Sequence, residues 1–127
     1  MTLSPRAEEI ATEIVDAAFS VHSSLGPGLL ESVYEECLAY DFSERNLSYD
    51  RQLVLPINYR DHRIDSGLRL DFLVEGQIVI EIKAVETLVS VHTSQLLTYL
   101  KLSNCRLGFL INFNVALIKN GIHRYVL

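Results

Sequence analysis

Cysteine is scarce in this chain. Cys37 and Cys105 are its two cysteines, too few for a disulfide framework. They also lack the spacing of a zinc site. Both are expected to be reduced and mostly buried, Cys37 in a helical pattern and Cys105 ahead of a strand pattern. Long apolar runs are missing too: the longest fall far short of a membrane span, so no membrane partner is expected. No basic-then-apolar leader opens the sequence, because its start already reads as a capped helix. A soluble, cytoplasmic protein is therefore the expectation. Positive charge is in deficit, with 11 Lys and Arg against 16 Asp and Glu and a formal net charge of -5. A dedicated high-affinity nucleic-acid scaffold has the opposite balance. The deficit does not exclude an enzyme acting on nucleic acid, since a bound divalent ion offsets catalytic carboxylates locally. No repeat, linker or low-complexity segment interrupts the pattern.

About half of the 127 residues are apolar, enough for one domain, 1–127, with a sizeable core. Residues 4–24 predict a helix. Ser4 is the N-cap, Pro5 sits where a missing N–H costs nothing, and Glu8 and Glu9 lie near the positive end of the dipole. Ile10, Ile14, Ala17, Ala18 and Val21 recur at helical spacing as its buried stripe. Gly26-Pro27-Gly28 then breaks the helix. This turn lacks the lysine and hydroxyl of a phosphate loop, although free N–H groups at residues 28–30 could hold a phosphate. A second helix is expected over 29–43, with Leu30, Val33, Tyr34, Cys37 and Leu38 as its apolar face and Asn46 at its exit. Glu31 shares a side of that helix with Tyr34 and Glu35. The acidic cluster from Glu35 to Glu44 reads as a solvated face.

The period then changes from 3.6 to 2. Leu53, Leu55, Ile57 and Tyr59 alternate with Gln52, Val54, Pro56 and Asn58, and Pro56 places this strand at an edge or a bulge. Residues 60–67 read as a polar connection. In the next strand Leu68, Leu70, Phe72 and Val74 are expected on one face, with Arg69, Asp71 and Leu73 on the other. Glu75-Gly76 forms a tight turn. Residues 77–85 give a strand covered on both sides, with Ile78, Ile80 and Ile82 facing one way and Val79, Glu81 and Lys83 the other. A helix over 91–103, a buried strand over 105–114 and a last strand in the tail 121–127 complete the order.

Asp71, Glu81 and Lys83 are charges set among apolar strand residues, where burial is costly unless compensated. Glu81 and Lys83 share a face about 6.5 Å apart along one strand, and the turn at Gly76 brings Asp71 across from them. Two carboxylates held that close resist joint ionisation unless a cation sits between them. Hard oxygen ligands select Mg²⁺ or Mn²⁺, and the carbonyl of Ile82 could supply a further oxygen. The chemistry implied is metal-assisted phosphodiester hydrolysis, with Lys83 orienting or deprotonating the attacking water or stabilising phosphate charge. The competing reading is a cross-strand salt bridge on a solvated sheet face.

GLLESVY contains the spacing GxxExxY at Gly28, Glu31 and Tyr34, and it occurs with RLDFLVE, IVIEIKAV and QLLTY. In this combination the chain resembles the PD-(D/E)XK nuclease superfamily, and within it the small proteins named after GxxExxY. The resemblance implies an α/β fold: a mixed sheet in a restriction-endonuclease-like α-β-β-β-α-β core, here with an extra N-terminal helix. It also implies that Asp71 and Glu81 are the metal-binding acids, Lys83 the motif lysine, and Glu31 an acid that completes or orients the metal shell. Gln95 and Tyr99 match an element that borders the site and places nucleic acid in RecB-like exonucleases. Tyr34, His22 and His92 are further candidates for substrate contact, against a core aromatic for Tyr34, a packed or capping histidine for His22 and a surface or N-terminal-turn placement for His92. The expected partner is nucleic acid, DNA more than RNA, bound weakly and in a salt-sensitive way. A homodimer or another partner would have to supply any sequence specificity. The rivals to a nuclease are a non-catalytic module that keeps the fold to bind nucleic acid or protein, and a structural subunit with the trio as a salt bridge.

Overall fold

The computed structural model describes residues 3–127. Helix α1 spans Pro5–Leu25. Ser4 Oγ accepts the Ala7 N–H at 3.0 Å, which satisfies one of the free donors of the first turn. The expected stripe is buried, extended by Ala7 and Ala11. Gly26 ends the helix at φ +71°, a conformation open to glycine without steric cost.

Helix α2 spans Glu31–Glu44 and buries Tyr34, Leu38, Ala39 and Phe42. The expected apolar face is only half right. Leu30 is the N-cap rather than a stripe residue and is 74% exposed, and Val33 is also exposed. Asn46, at φ +59°, lies at the exit as expected.

Five strands follow in one sheet: β1 Tyr49–Tyr59, β2 His62–Val74, β3 Ile78–Lys83, β4 Leu107–Asn112 and β5 Ile122–Val126. Their spatial order is β1-β2-β3-β4-β5. Among the described residues only β3 and β4 pair in parallel, and helix α3, Ser90–Ser103, makes the crossover between them. After the first helix, the element order is the α-β-β-β-α-β core that the sequence predicts, with β5 as an added edge.

The layers follow from side-chain alternation. On one face, Ile78, Ile80 and Ile82 of β3 pack with Phe109 and Ile111 of β4 against α1 and α2. On the other, Val79 and Leu110 pack against Leu96 and Leu100 of α3. β3 and β4 are therefore covered on both sides, which explains their near-continuous apolar sequences. Of the two cysteines, both free, Cys105 is buried and Cys37 half-buried.

The β1–β2 hairpin departs from expectation in two ways. The polar segment 60–67 is not a connection: Tyr59 pairs with His62, so the turn is Arg60-Asp61 and β2 begins at once. Every residue from Asn58 to Ser66 is exposed, so polarity there records solvent on both faces rather than absence of a strand. The faces also exchange within β2. Leu68 and Leu70 join the α3-side cluster, whereas Phe72 and Val74 join the α1/α2 side. β1 does the same, with Tyr49 on the α1/α2 side and Leu53 and Leu55 on the α3 side. The exchange coincides with Gln52, whose φ of +52° breaks the extended run opposite Asp71. Pro56 marks a second irregularity: the β1–β2 register shifts between Leu55 and Ile57, and β1 is an edge strand, both as expected.

Candidate active-site cleft

The turn after β2 fixes how the acids meet. Glu75 and Gly76 have φ of +53° and +66°, and Gln77 N–H donates to the Val74 carbonyl at 3.0 Å. This is the two-residue geometry that matches strand twist. From it the β2–β3 ladder runs through Val74–Ile78, Leu73–Val79 and Phe72–Ile80, and then stops. Beyond that point side chains replace backbone partners. Asp71 N–H donates to Glu81 Oε2 at 2.8 Å, and Ile82 N–H donates to Asp71 Oδ2 at 2.8 Å. The two acids thus hold the strands apart at the end of the ladder.

A cleft of about 520 Å³ opens there. Glu31, Asp71, Glu81, Lys83, Gln95 and Tyr99 all line it. Five separate stretches of chain contribute to it: α2, β1, β2, β3 and α3. Lys83 Nζ lies 3.4 Å from Gln95 Oε1, and Gln95 Nε2 donates to the Tyr99 hydroxyl at 3.1 Å. The i, i+4 spacing on α3 makes that second contact possible.

Electrostatics at the cleft is dominated by acid. Glu81 is 4% exposed. Burial, reinforced by the charge of Asp71, pushes its carboxyl up to about 8; the Asp71 N–H and Lys83 oppose this. Asp71 is also raised, first by burial and then by Glu35, against the lowering hydrogen bond from Ile82. Glu31 stands at the rim, raised by partial burial and then by Asp71. Lys83 alone therefore does not neutralise the cluster.

Whether these residues fit a divalent cation turns on the donors. Asp71 and Glu81 are hard oxygen donors, and among the described residues Glu81 hydrogen-bonds through Oε2 alone. Two carboxylates with water suit Mg²⁺ or Mn²⁺, which rarely needs a full protein cage. The larger expected shell is not assembled: among the described residues, no three His, Cys, Asp or Glu side chains cluster to hold an ion. Glu31 lines the cleft but does not complete such a group. When bound, the ion would supply Lewis acidity at the phosphate and a more acidic water.

Four residues on the candidate list lie outside this lining. Tyr34 is fully buried, stacked on Phe113 at 4.6 Å, and its hydroxyl donates to the Gly26 carbonyl at 2.6 Å while accepting the Leu29 N–H at 3.1 Å. It pins the turn before α2. His22 is buried with Nε2 2.8 Å from the Val115 carbonyl oxygen. His92 Nδ1 accepts the Val89 N–H at 3.1 Å and so caps α3. These three occupy packed and capping positions rather than the cleft. The Ile82 side chain is in the core, and its backbone N–H donates to Asp71 Oδ2.

Gln52, Glu35 and Arg69 were not legible as site residues. Gln52 Nε2 donates both to Glu35 Oε1 and to Asp71 Oδ1, the latter at 3.3 Å. Arg51 Nε holds Glu35 Oε2 at 2.8 Å. Glu35 is thus not on a solvated face; its i, i+4 relation to Glu31 was the available signal. Arg69 lines the cleft from β2.

Among the described residues, no helix is long and apolar enough to cross a membrane. No curated protein and no solved structure matches the chain. A family model for the PD-(D/E)XK nuclease superfamily matches residues 8–125. That span includes the cleft and all of the sheet except the last residue of β5, so this chain belongs to the PD-(D/E)XK nuclease superfamily.

Proposed function

We propose that the cleft engages the phosphodiester backbone of nucleic acid, DNA more than RNA, in a domain of the GxxExxY kind. The observation that carries this is the convergence of Asp71, Glu81 and Lys83 with Gln95 and Tyr99 on one small, polar cleft. Two outcomes of engagement differ in chemistry. In one, Mg²⁺ or Mn²⁺ bound by Asp71 and Glu81 makes the site hydrolytic. In the other, the fold is kept and the domain binds nucleic acid or a protein without turnover. The side-chain donors as they stand favour the second, because no three-group cluster is present among the described residues. The first is favoured by Glu81: a carboxyl this buried beside a second acid, with one lysine nearby, has too little positive charge around it.

In the hydrolytic outcome, each residue of the chain has a defined task. Asp71 and Glu81 would hold the cation, and their bonds to backbone N–H groups fix their orientation. Lys83 presents its ammonium, steadied by Gln95, to the attacking water or to charge developing on the phosphate. Gln95 and Tyr99 form the wall against which the backbone is placed. Binding is weak and salt-sensitive, the site works in the cytoplasm, and sequence specificity comes from a homodimer or another partner.

The test is degradation of single- and double-stranded DNA and RNA with millimolar Mg²⁺ or Mn²⁺, alongside Glu81→Gln and Lys83→Ala. Metal-dependent products lost in both variants establish hydrolysis. Binding that survives Glu81→Gln, with no products from any substrate, establishes the non-catalytic module. Neither products nor binding removes the proposal.

A further inference from the structure

The β1–β2 hairpin projects past the core, and an isolated two-stranded arm is marginal in water. Its root is continuous with the cleft: Val54, Ser66, Gly67, Leu68 and Arg69 form one wall of it. Pairing singles out two arginines of this arm rather than the arm as a whole, since Arg51 and Arg63 belong to the same hairpin and are paired. Arg6, Arg45, Arg51, Arg63 and Arg124 are each in an ion pair with a carboxylate. Among the described residues Arg60 and Arg69 are in none, and both are exposed on this arm. Arg60 instead lies 5.2 Å from the ring centroid of Tyr59, itself 61% exposed. The arm also carries Asp61 and Asp65, of which Asp65 is held by Arg63 at 2.7 Å.

In a chain of net charge -5, Arg69 at the wall of an acidic cleft and Arg60 at the turn of the adjoining arm, neither in an ion pair among the described residues, set positive charge beside the acids. A guanidinium matches a phosphate in charge and shape, and an exposed aromatic beside it offers a stacking face to a base. We propose that the β1–β2 arm carries the grip on nucleic acid beyond the cleft, with Arg69 holding a phosphate at the cleft wall and Arg60 with Tyr59 engaging the chain near the tip. This rests on the nucleic-acid reading of the cleft and extends it: the ligand is a chain of several nucleotides, and a mononucleotide does not span it. All three side chains are exposed, so their replacement leaves the core intact.

The experiment is anisotropy of a labelled single-stranded oligonucleotide over a salt series, in the full chain carrying Glu81→Gln to suppress turnover. Arg69→Gln and Arg60→Gln are each expected to weaken binding and to lower the slope of log K against log salt by roughly 0.7. Tyr59→Ser is expected to weaken binding with no change in slope. Lys119→Gln, a distant exposed cation, is expected to leave both unchanged. Parent-like affinity and slope in both arginine variants overturn the arm while leaving the cleft reading intact. Equal losses with Lys119→Gln also overturn it, since the effect is then general charge. No binding by the starting protein overturns the arm and the cleft reading together.

Discussion

Asp71 N–H donates to Glu81 Oε2 at 2.8 Å at the point where the β2–β3 ladder has just ended. One hydrogen bond is modest compensation for a carboxylate that burial pushes from 4.5 to about 8. The folded state therefore holds a proton on Glu81 that the unfolded chain has released. Below about pH 4.5 both states are protonated and the contribution is fully present; it is lost as pH rises through about 8. Its size is on the order of a few kcal/mol. Metal-free protein is expected to lose thermal stability between pH 5 and 8, and Glu81→Gln to flatten that slope and be the more stable form at pH 8. Calorimetric melting over this range, in chelator, measures it. Parallel slopes for the two proteins would assign the pH dependence to other groups.

The same unfavourable charge predicts a metal response that does not depend on activity. A cation that binds Asp71 and Glu81 when both are ionised stabilises the fold by about 2.7 kcal/mol at a hundredfold excess over its dissociation constant. Mn²⁺ is therefore expected to raise the melting temperature near pH 8 and to do so much less near pH 5, where Glu81 keeps its proton. Asp71→Asn and Glu81→Gln are each expected to abolish the rise. Identical melting in chelator and in millimolar Mn²⁺ at both pH values would mean that the two acids do not share an ion.

Gln52 sits opposite Asp71 with φ +52°, and its amide bridges Asp71 and Glu35. Side chain and backbone can be separated by substitution. Gln52→Ala removes the amide but keeps the left-handed backbone cost, and is expected to destabilise by about 1 kcal/mol. Gln52→Gly also removes the amide, yet relieves the conformational cost, so its stability should lie closer to the parent. Both should weaken Mn²⁺ binding alike, because neither holds Asp71. Urea unfolding and titration calorimetry read the two effects independently. Metal affinity that tracks stability rather than loss of the amide would assign Gln52 to the fold alone.

Much of this architecture was legible because local signals agreed with the global fold. Ser4-Pro5 gave the start of α1, the alternation of isoleucines gave β3, and Pro56 gave the edge and the register shift. The site was legible where one strand carries it, since Glu81 and Lys83 share a face by alternation alone. It was not legible where alternation fails. Leu68 to Val74 reads as one uninterrupted face, and only a left-handed residue on the neighbouring strand makes it exchange sides at Asp71. Glu35 read as solvated because its partners, Arg51 and Gln52, lie 16 and 17 residues away. The arm read as a loop because strands exposed on both faces carry no hydrophobic period.

Tyr34 gives the sharpest prediction about the helical motif itself. Its ring stacks on Phe113 with 9° between planes, and its hydroxyl ties the Gly26 carbonyl to the Leu29 N–H across the turn that precedes α2. Gly28 in that turn has φ +97°, and Glu31 begins the helix. The GxxExxY spacing thus joins a turn glycine, a cleft acid and the tyrosine that anchors them. Tyr34→Phe keeps the stacking and strands a backbone donor and acceptor, for an expected loss of about 1–3 kcal/mol. Its consequence at the cleft should be indirect: Glu31 loses its fixed helix start, while Asp71 and Glu81, held by strands, stay in place. Urea unfolding of Tyr34→Phe, beside Mn²⁺ titration of Tyr34→Phe and Glu31→Gln, tests this. Lower stability with similar, small changes in metal affinity in both variants is expected. A large loss of metal affinity in Tyr34→Phe alone would mean that the tyrosine acts on the strand acids directly.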